Sequence, residues 1–488
     1  MSFSDGHDCR LQCPSKASAR RELRVAAVLL ALCGTPPALS AQAAPVLTGT
    51  VEIDLPRGAI AADVCLNALP ARGDTLSFVL NRAYTIKRIT GADDRTTVVT
   101  LEPGGEGLRY TLMRAESSGS SREAEPLCLE YGGSHPVYDI ESGEFRTEDA
   151  SNVVAFNGRS LRARGVSRWY PAPYDPATGL AAEALAFRLV VNCEACERIY
   201  VNGGRATDGP RGEFMSREPR EMLLLAGDLP ESRVDGVLIL GETVPAEPAV
   251  AFVSTLRRIQ RFFGDYLTVP FGADPHIIRI DALRAPKEGR LWGFFSDPAL
   301  VLIGMTVPEY VEIFEGPATP ARRAVVGFVA HELAHRYFGW KIGTHSAQRD
   351  LFGEPFATYL ELKAVRELLG ESDYRAGLEA LNERAGAVSD HRPLDEAGPD
   401  DFNVGGYRYG FAPLQLFALE RTIGEARMRS LLTRIITAPP HERASADYAF
   451  LHKAALDVGV TEREWQAWET RCVRKRGGDD DCLRLLGR

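Results

Sequence analysis

The chain has 488 residues, 45% of them hydrophobic and 25% charged, and a net charge of −9. That balance excludes a disordered chain, and the length excludes a single core, so two to four domains are expected. No basic run stands out to release phosphate counterions, which argues against nucleic acid as a partner.

Arg20, Arg21 and Arg24 precede the apolar run "VAAVLLALCG", and Ala41-Gln42-Ala43 offers a small-x-small cleavage site. Residues 1–43 therefore read as a signal peptide, and the mature chain as exported, periplasmic or secreted. No later run reaches the length needed to span a bilayer. Three of the nine cysteines (Cys9, Cys13, Cys33) fall in the leader. An even number remains, which in an oxidising compartment reads as disulfides. Local pairing gives Cys65–Cys128, Cys193–Cys196 and Cys472–Cys482. Cys193-Glu194-Ala195-Cys196 also fits a redox motif or half a zinc knuckle, but no second pair stands at knuckle spacing.

Residues 44–245 read as a β domain. "TLSFVLN", "TVVTLE", "GLRYTL" and "AFRLVVN" alternate apolar and polar residues between Gly, Asn and Asp turns, the pattern of a sandwich. From 246 the period changes to helical in "FVSTLRRIQRFFGDYL". Strands are expected in "HIIRIDAL" and "ALVLIGM", and helices at 322–340, 355–369 and 411–436. Residues 437–488 read as a short helical C-terminal region. Nothing in the sequence fixes an oligomeric state.

One stretch carries chemistry. "VVGFVAHELAHRYFGW" places His331 and His335 four apart, so both imidazoles face one side of a helix, with Glu332 beside them. Catalytic zinc takes three protein ligands and keeps one position open. A metzincin would have Gly three and His six residues after His335; those positions are Phe338 and Lys341, which excludes that class. Glu354 lies nineteen residues after His335, opening a helical pattern that stops at Gly370, and supplies a third ligand.

With these residues the chain resembles the zinc aminopeptidases of the aminopeptidase N type, within the gluzincins. "LFGEPFATYLE" is similar to that family's "WLNEGFATYLE" segment, and "GYRYGFAPLQLFALERTIGE" to its tyrosine-bearing helix. "WYPAPYDP" and "FFGDYLTVPFGADPHIIRIDAL" extend the likeness over about 75–436. The resemblance implies a multi-domain, mixed fold: an N-terminal β-sandwich-like domain, a thermolysin-like α+β zinc domain at 246–436 and a short helical tail. It implies one Zn2+ held by His331, His335 and Glu354, and a peptide or protein substrate. Glu332 would be general base and acid, and Tyr407 a hydrogen-bond donor to the developing oxyanion.

The chain departs from the family at the strand that anchors the substrate's α-amine. The family's "GAMEN" glutamate has its counterpart in "GFFSD", with Gly293 first and Ser296 at the glutamate's position. A hydroxyl cannot supply the charge that pairs with an ammonium. Asp297 follows one residue later, on the opposite face of a regular strand. Gly293, Ser296 and Asp297 are therefore the expected substrate-binding positions, and strict aminopeptidase specificity is not expected. A glycyl-aminopeptidase-like gluzincin, a silent zinc-binding scaffold, and a zinc hydrolase of non-peptide amides or esters stand as alternatives.

Overall fold

The computed structural model describes residues 46–474, apart from 68, 70, 73–74, 102–105, 115–125, 138–153, 177, 183, 203, 281–291, 340–341, 344–345 and 387–391. The signal peptide read at 1–43, and Cys482, lie outside the described residues.

The first half is β structure, as the alternation requires. In Ala59–Asn67 every second residue (Ile60, Ala62, Val64, Leu66) is buried, the period of a strand with one face on a core. This strand pairs antiparallel with Val46–Asp54 and Leu127–Ser134 inside a six-stranded sheet. A further sheet, led by Thr75–Asn81 and Gly107–Arg114, closes a core that includes Phe78, Tyr131, Trp169 and Phe187. Cys65 and Cys128 face each other across two strands and are bonded. Cys193–Cys196 closes a tight turn. Cys472 is also disulfide-bonded.

A five-stranded sheet begins the second half, in the order Glu231–Val234, Val237–Leu240, His276–Ile280, Ala299–Ile303, Trp292–Ser296. Its first two strands lie within the range read as the β domain, so that range runs too far. The cue is local: Val237–Leu240 is apolar throughout and buried throughout. Such a run belongs to a strand covered on both faces. Trp292–Ser296 forms the sheet's edge, paired with Ala299–Ile303 among the described residues.

Among the described residues eight helices then follow: α1 (Ala246–Leu267), α2 (Val307–Glu315), α3 (Pro320–Ala334), α4 (Glu354–Leu369), α5 (Glu371–Gly386), α6 (Pro399–Phe402), α7 (Ala412–Ile423) and α8 (Glu425–Thr437). The single helix expected over 411–436 is two, because Gly424 takes φ +87°, which ends α7. Three short helices between Pro440 and Trp468 and a π-helical turn, Glu469–Val473, complete the described chain. One core joins α1, α3, α4 and α7 through Phe252, Val329, Leu333, Phe356, Leu360 and Phe417. No described helix is long and apolar enough to cross a membrane.

Candidate metal centre

α3 carries both histidines, and its ends fix where they point. Thr319 caps the start by accepting the Arg322 N–H at 3.2 Å, with Pro320 in the first turn. Val325, Val326 and Val329 bury the helix, leaving His331, Glu332 and His335 at its last turn. The helix stops at His335, short of the expected 340. His335 Nδ1 bonds the Phe338 carbonyl at 2.9 Å, which requires the chain to fold back there.

Both rings are held through their Nδ1 atoms. His331 Nδ1 meets Glu361 Oε2 at 3.1 Å, and the two rings sit edge to face with centroids 4.9 Å apart. That leaves both Nε2 atoms turned toward Glu354, whose Oε2 lies 2.8 Å from His331 and 3.4 Å from His335. Tetrahedral ligands bound at about 2.0–2.1 Å stand about 3.3 Å apart, so this two-nitrogen, one-oxygen set fits zinc. The three donor atoms lie within 4.8 Å of one another. Glu354 opens α4 as its first residue, after Gly353 at the cap position.

Glu361 does not stand out in the sequence, though it sits seven residues after Glu354, two turns along the same helix face. Gly327 makes room for it: a Cβ there would stand 2.9 Å from Glu361 Oε1. A carboxylate on the far nitrogen fixes a ligand's tautomer and raises its basicity. Glu361→Gln is therefore expected to weaken zinc binding by about 10–100-fold without abolishing it, as measured by competition with a chelator.

Charge in the pocket is strongly coupled. Burial alone would lower the His331 and His335 pKa values, yet the neighbouring carboxylates raise both. Glu354 is driven the other way: burial would raise it, but the two histidines hold it well below the usual carboxylate range. Glu332 is not among the converging donors. Burial pushes its carboxyl up, offset in part by His331 and His335.

The tyrosine expected at this site is elsewhere. Tyr407 is buried between Phe402 and Phe411, and its hydroxyl donates to the Arg392 carbonyl at 3.1 Å. The ring beside His331, with centroids 6.0 Å apart, belongs to Tyr409. Residues two apart on a helix point about 200° apart, so only one of the pair can face the metal ligands. The segment Tyr407–Phe411 is a π-helical turn, which changes the register that Y-x-x-G spacing assumes.

The three expected substrate-binding positions are each tied into the fold. Ser296 is fully buried and accepts from Asn202 Nδ2 at 2.6 Å, facing the N-terminal half and not the metal ligands. Asp297 is buried and ion-paired with Arg336, next to His335, and with Arg220 at 3.5 Å. Gly293 packs too closely for a side chain, since a Cβ would meet Val301 O at 2.2 Å and Phe328 Cζ at 2.8 Å. Each of the three thus has a structural task of its own.

No protein-family model matches the sequence, and neither does any curated protein sequence. Solved structures do. The M1 zinc metallopeptidase of Deinococcus radiodurans aligns with a TM-score of 0.56 and 16% identity, over 90% of this chain and 95% of that one. A structure of that enzyme bound to a Tyr-Ser-Ala substrate gives 0.56, 16%, 89% and 95%. Native yeast LTA4 hydrolase gives 0.58 and 13%, over 90% of this chain and 68% of that one. The chain thus shares the fold of these structures: a sheet-rich N-terminal part, then a mixed α/β part that holds a His-His-Glu triad.

Proposed function

We propose that the protein is an exported zinc metallopeptidase. The observation that carries the reading is the convergence of His331, His335 and Glu354 on one point, with Glu332 beside them and outside the ligand set. Zn2+ bound there supplies Lewis-acid polarisation of the scissile carbonyl and lowers the pKa of water. Glu332 takes the proton of the attacking water and returns it to the leaving amine; a carboxyl raised by burial is suited to both transfers. Tyr409 donates to the oxygen that becomes negative in the transition state. Burial first, then Glu354, raises its hydroxyl pKa and keeps it a donor. The paired cysteines support the exported location.

The test measures zinc per chain and hydrolysis of a mixed peptide library by the native protein. Absence of stoichiometric zinc overturns the reading; zinc without turnover favours the silent scaffold. Tyr409→Phe is expected to lower kcat by about 10²–10³-fold with KM little changed. Tyr407→Phe should instead lower the melting temperature and leave kcat near native. The reverse pattern would return the oxyanion role to Tyr407.

Specificity for a free α-amine is not part of this reading, because Ser296 and Asp297 are engaged elsewhere. N-acetylated and free peptides of one sequence are expected to turn over at similar rates. An absolute requirement for the free amine would sink this element.

A further inference from the structure

The metal ligands share one side of α3 with a large apolar side chain. Beyond the first turn, Ala324 and Phe328 are the residues of this helix that are not buried, and His335, just past its end, is half-buried. Steps of four and seven residues join 324, 328 and 335, which places them on one helix face. At about 100° per residue, Phe328 stands about 20° around the axis from His335, about 40° from Glu332 and about 60° from His331. It precedes His331 by three residues, about 4.5 Å along the axis. Phe328 is therefore the neighbour of the ligand pair on the side of α3 that the core leaves uncovered.

The far end of its ring is fixed as well. A Cβ on Gly293 would stand 2.8 Å from Phe328 Cζ, so the tip of the ring touches the backbone of the edge strand Trp292–Ser296. The absence of a side chain at Gly293 is what lets the ring reach that far. Phe328 thus spans the space between α3 and the edge strand, and it packs on the core beneath. Held at its root by the helix and at its tip by the strand, the ring cannot swing toward the strand to make room. Its half-buried surface stays beside the point where His331, His335 and Glu354 converge.

We propose that Phe328 is a specificity-determining residue, and that it restricts one of the two substrate positions flanking the scissile bond to a small side chain: glycine, alanine or serine. The inference rests on the peptidase reading. A carbonyl that reaches the metal lies over the open side of α3, so a side chain one bond away on one flank meets the ring. A small side chain fits beside it. A leucine or phenylalanine has to displace an aromatic ring that is packed at both ends, which costs what overpacking costs in a filled core.

The experiment uses the full-length zinc-loaded protein and two peptide series, in which the residue before or the residue after the cleaved bond is Gly, Ala, Ser, Leu or Phe. In one series the small residues should give a kcat/KM about 10–100-fold above Leu and Phe, and the series that responds identifies the flank. In Phe328→Ala that ratio should fall toward one because the Leu and Phe peptides are cleaved faster than by the native protein, and Phe328→Leu should fall between. A gain for bulky peptides does not arise from a weakened fold. A second readout is independent of turnover: uncleaved peptides should bind Glu332→Gln protein with the same preference for small residues, and Phe328→Ala/Glu332→Gln protein without it. Cleavage by the native protein with no preference for small residues in either series overturns this inference alone. So does a preference that survives in Phe328→Ala, or an equal loss for every peptide there, which would make the ring purely structural. No cleavage of any peptide overturns the peptidase reading and takes the inference with it.

Discussion

Glu332→Gln is expected to lower kcat by about a thousandfold, within the 10²–10⁴ range that a positioned acid–base group contributes, while one zinc per chain is retained. The two outcomes separate because of where the residue sits. Glu332 is buried in the last turn of α3 between the two histidines in sequence, but its oxygens are not among the converging donors. Gln matches its volume and keeps α3 packed through Val329 and Leu333. What it lacks is a site that can accept and return a proton. KM should change little, since the peptide is bound by other groups. Zinc analysis and steady-state kinetics on the same preparation make the comparison, and near-native turnover would remove Glu332 from the proton path.

The sequence is most informative where one residue has one geometric consequence. Two histidines four apart must share a helix face, and an acid at the head of the next long helix is carried back to them. His331, His335 and Glu354 converge accordingly. It is less informative where facing depends on register. Tyr407 and Tyr409 fit the same short segment, and a π-helical turn decides between them, which spacing read as regular helix does not register. Ser296 and Asp297 are legible as departures from an amine anchor, but their structural ties are not. Their partners, Asn202, Arg220 and Arg336, come from distant parts of the chain that only the fold brings together. Glu361 has a readable signal, two turns beyond Glu354, and becomes informative once Gly327 is seen to open the space it fills.

Glu354→Ala should cost more than the loss of Glu361, because it removes a ligand and not a ligand's support. Glu354 is the one oxygen donor of the set, and it lies within 3.4 Å of both Nε2 atoms. Without it, two buried imidazoles remain, and two nitrogens do not complete the three-ligand frame of a catalytic zinc. Zinc affinity should fall by well over about 100-fold, beyond the range of an outer-shell change. Stability provides a reading that needs no substrate. Zinc that binds only the folded chain adds about 2.7 kcal/mol at a hundred times its Kd, so the native protein should melt at a higher temperature with zinc than after chelation. In Glu354→Ala that difference should vanish, while in Glu361→Gln it should persist at higher zinc. The metal-free variant also relieves an electrostatic tie, because Glu354, aided by Glu332 at both rings and by Glu361 at His331, raises both histidine pKa values against burial. An unchanged zinc-dependent melting shift in Glu354→Ala would show that this carboxylate is not a ligand, and the site would then have to be rebuilt around a different third donor.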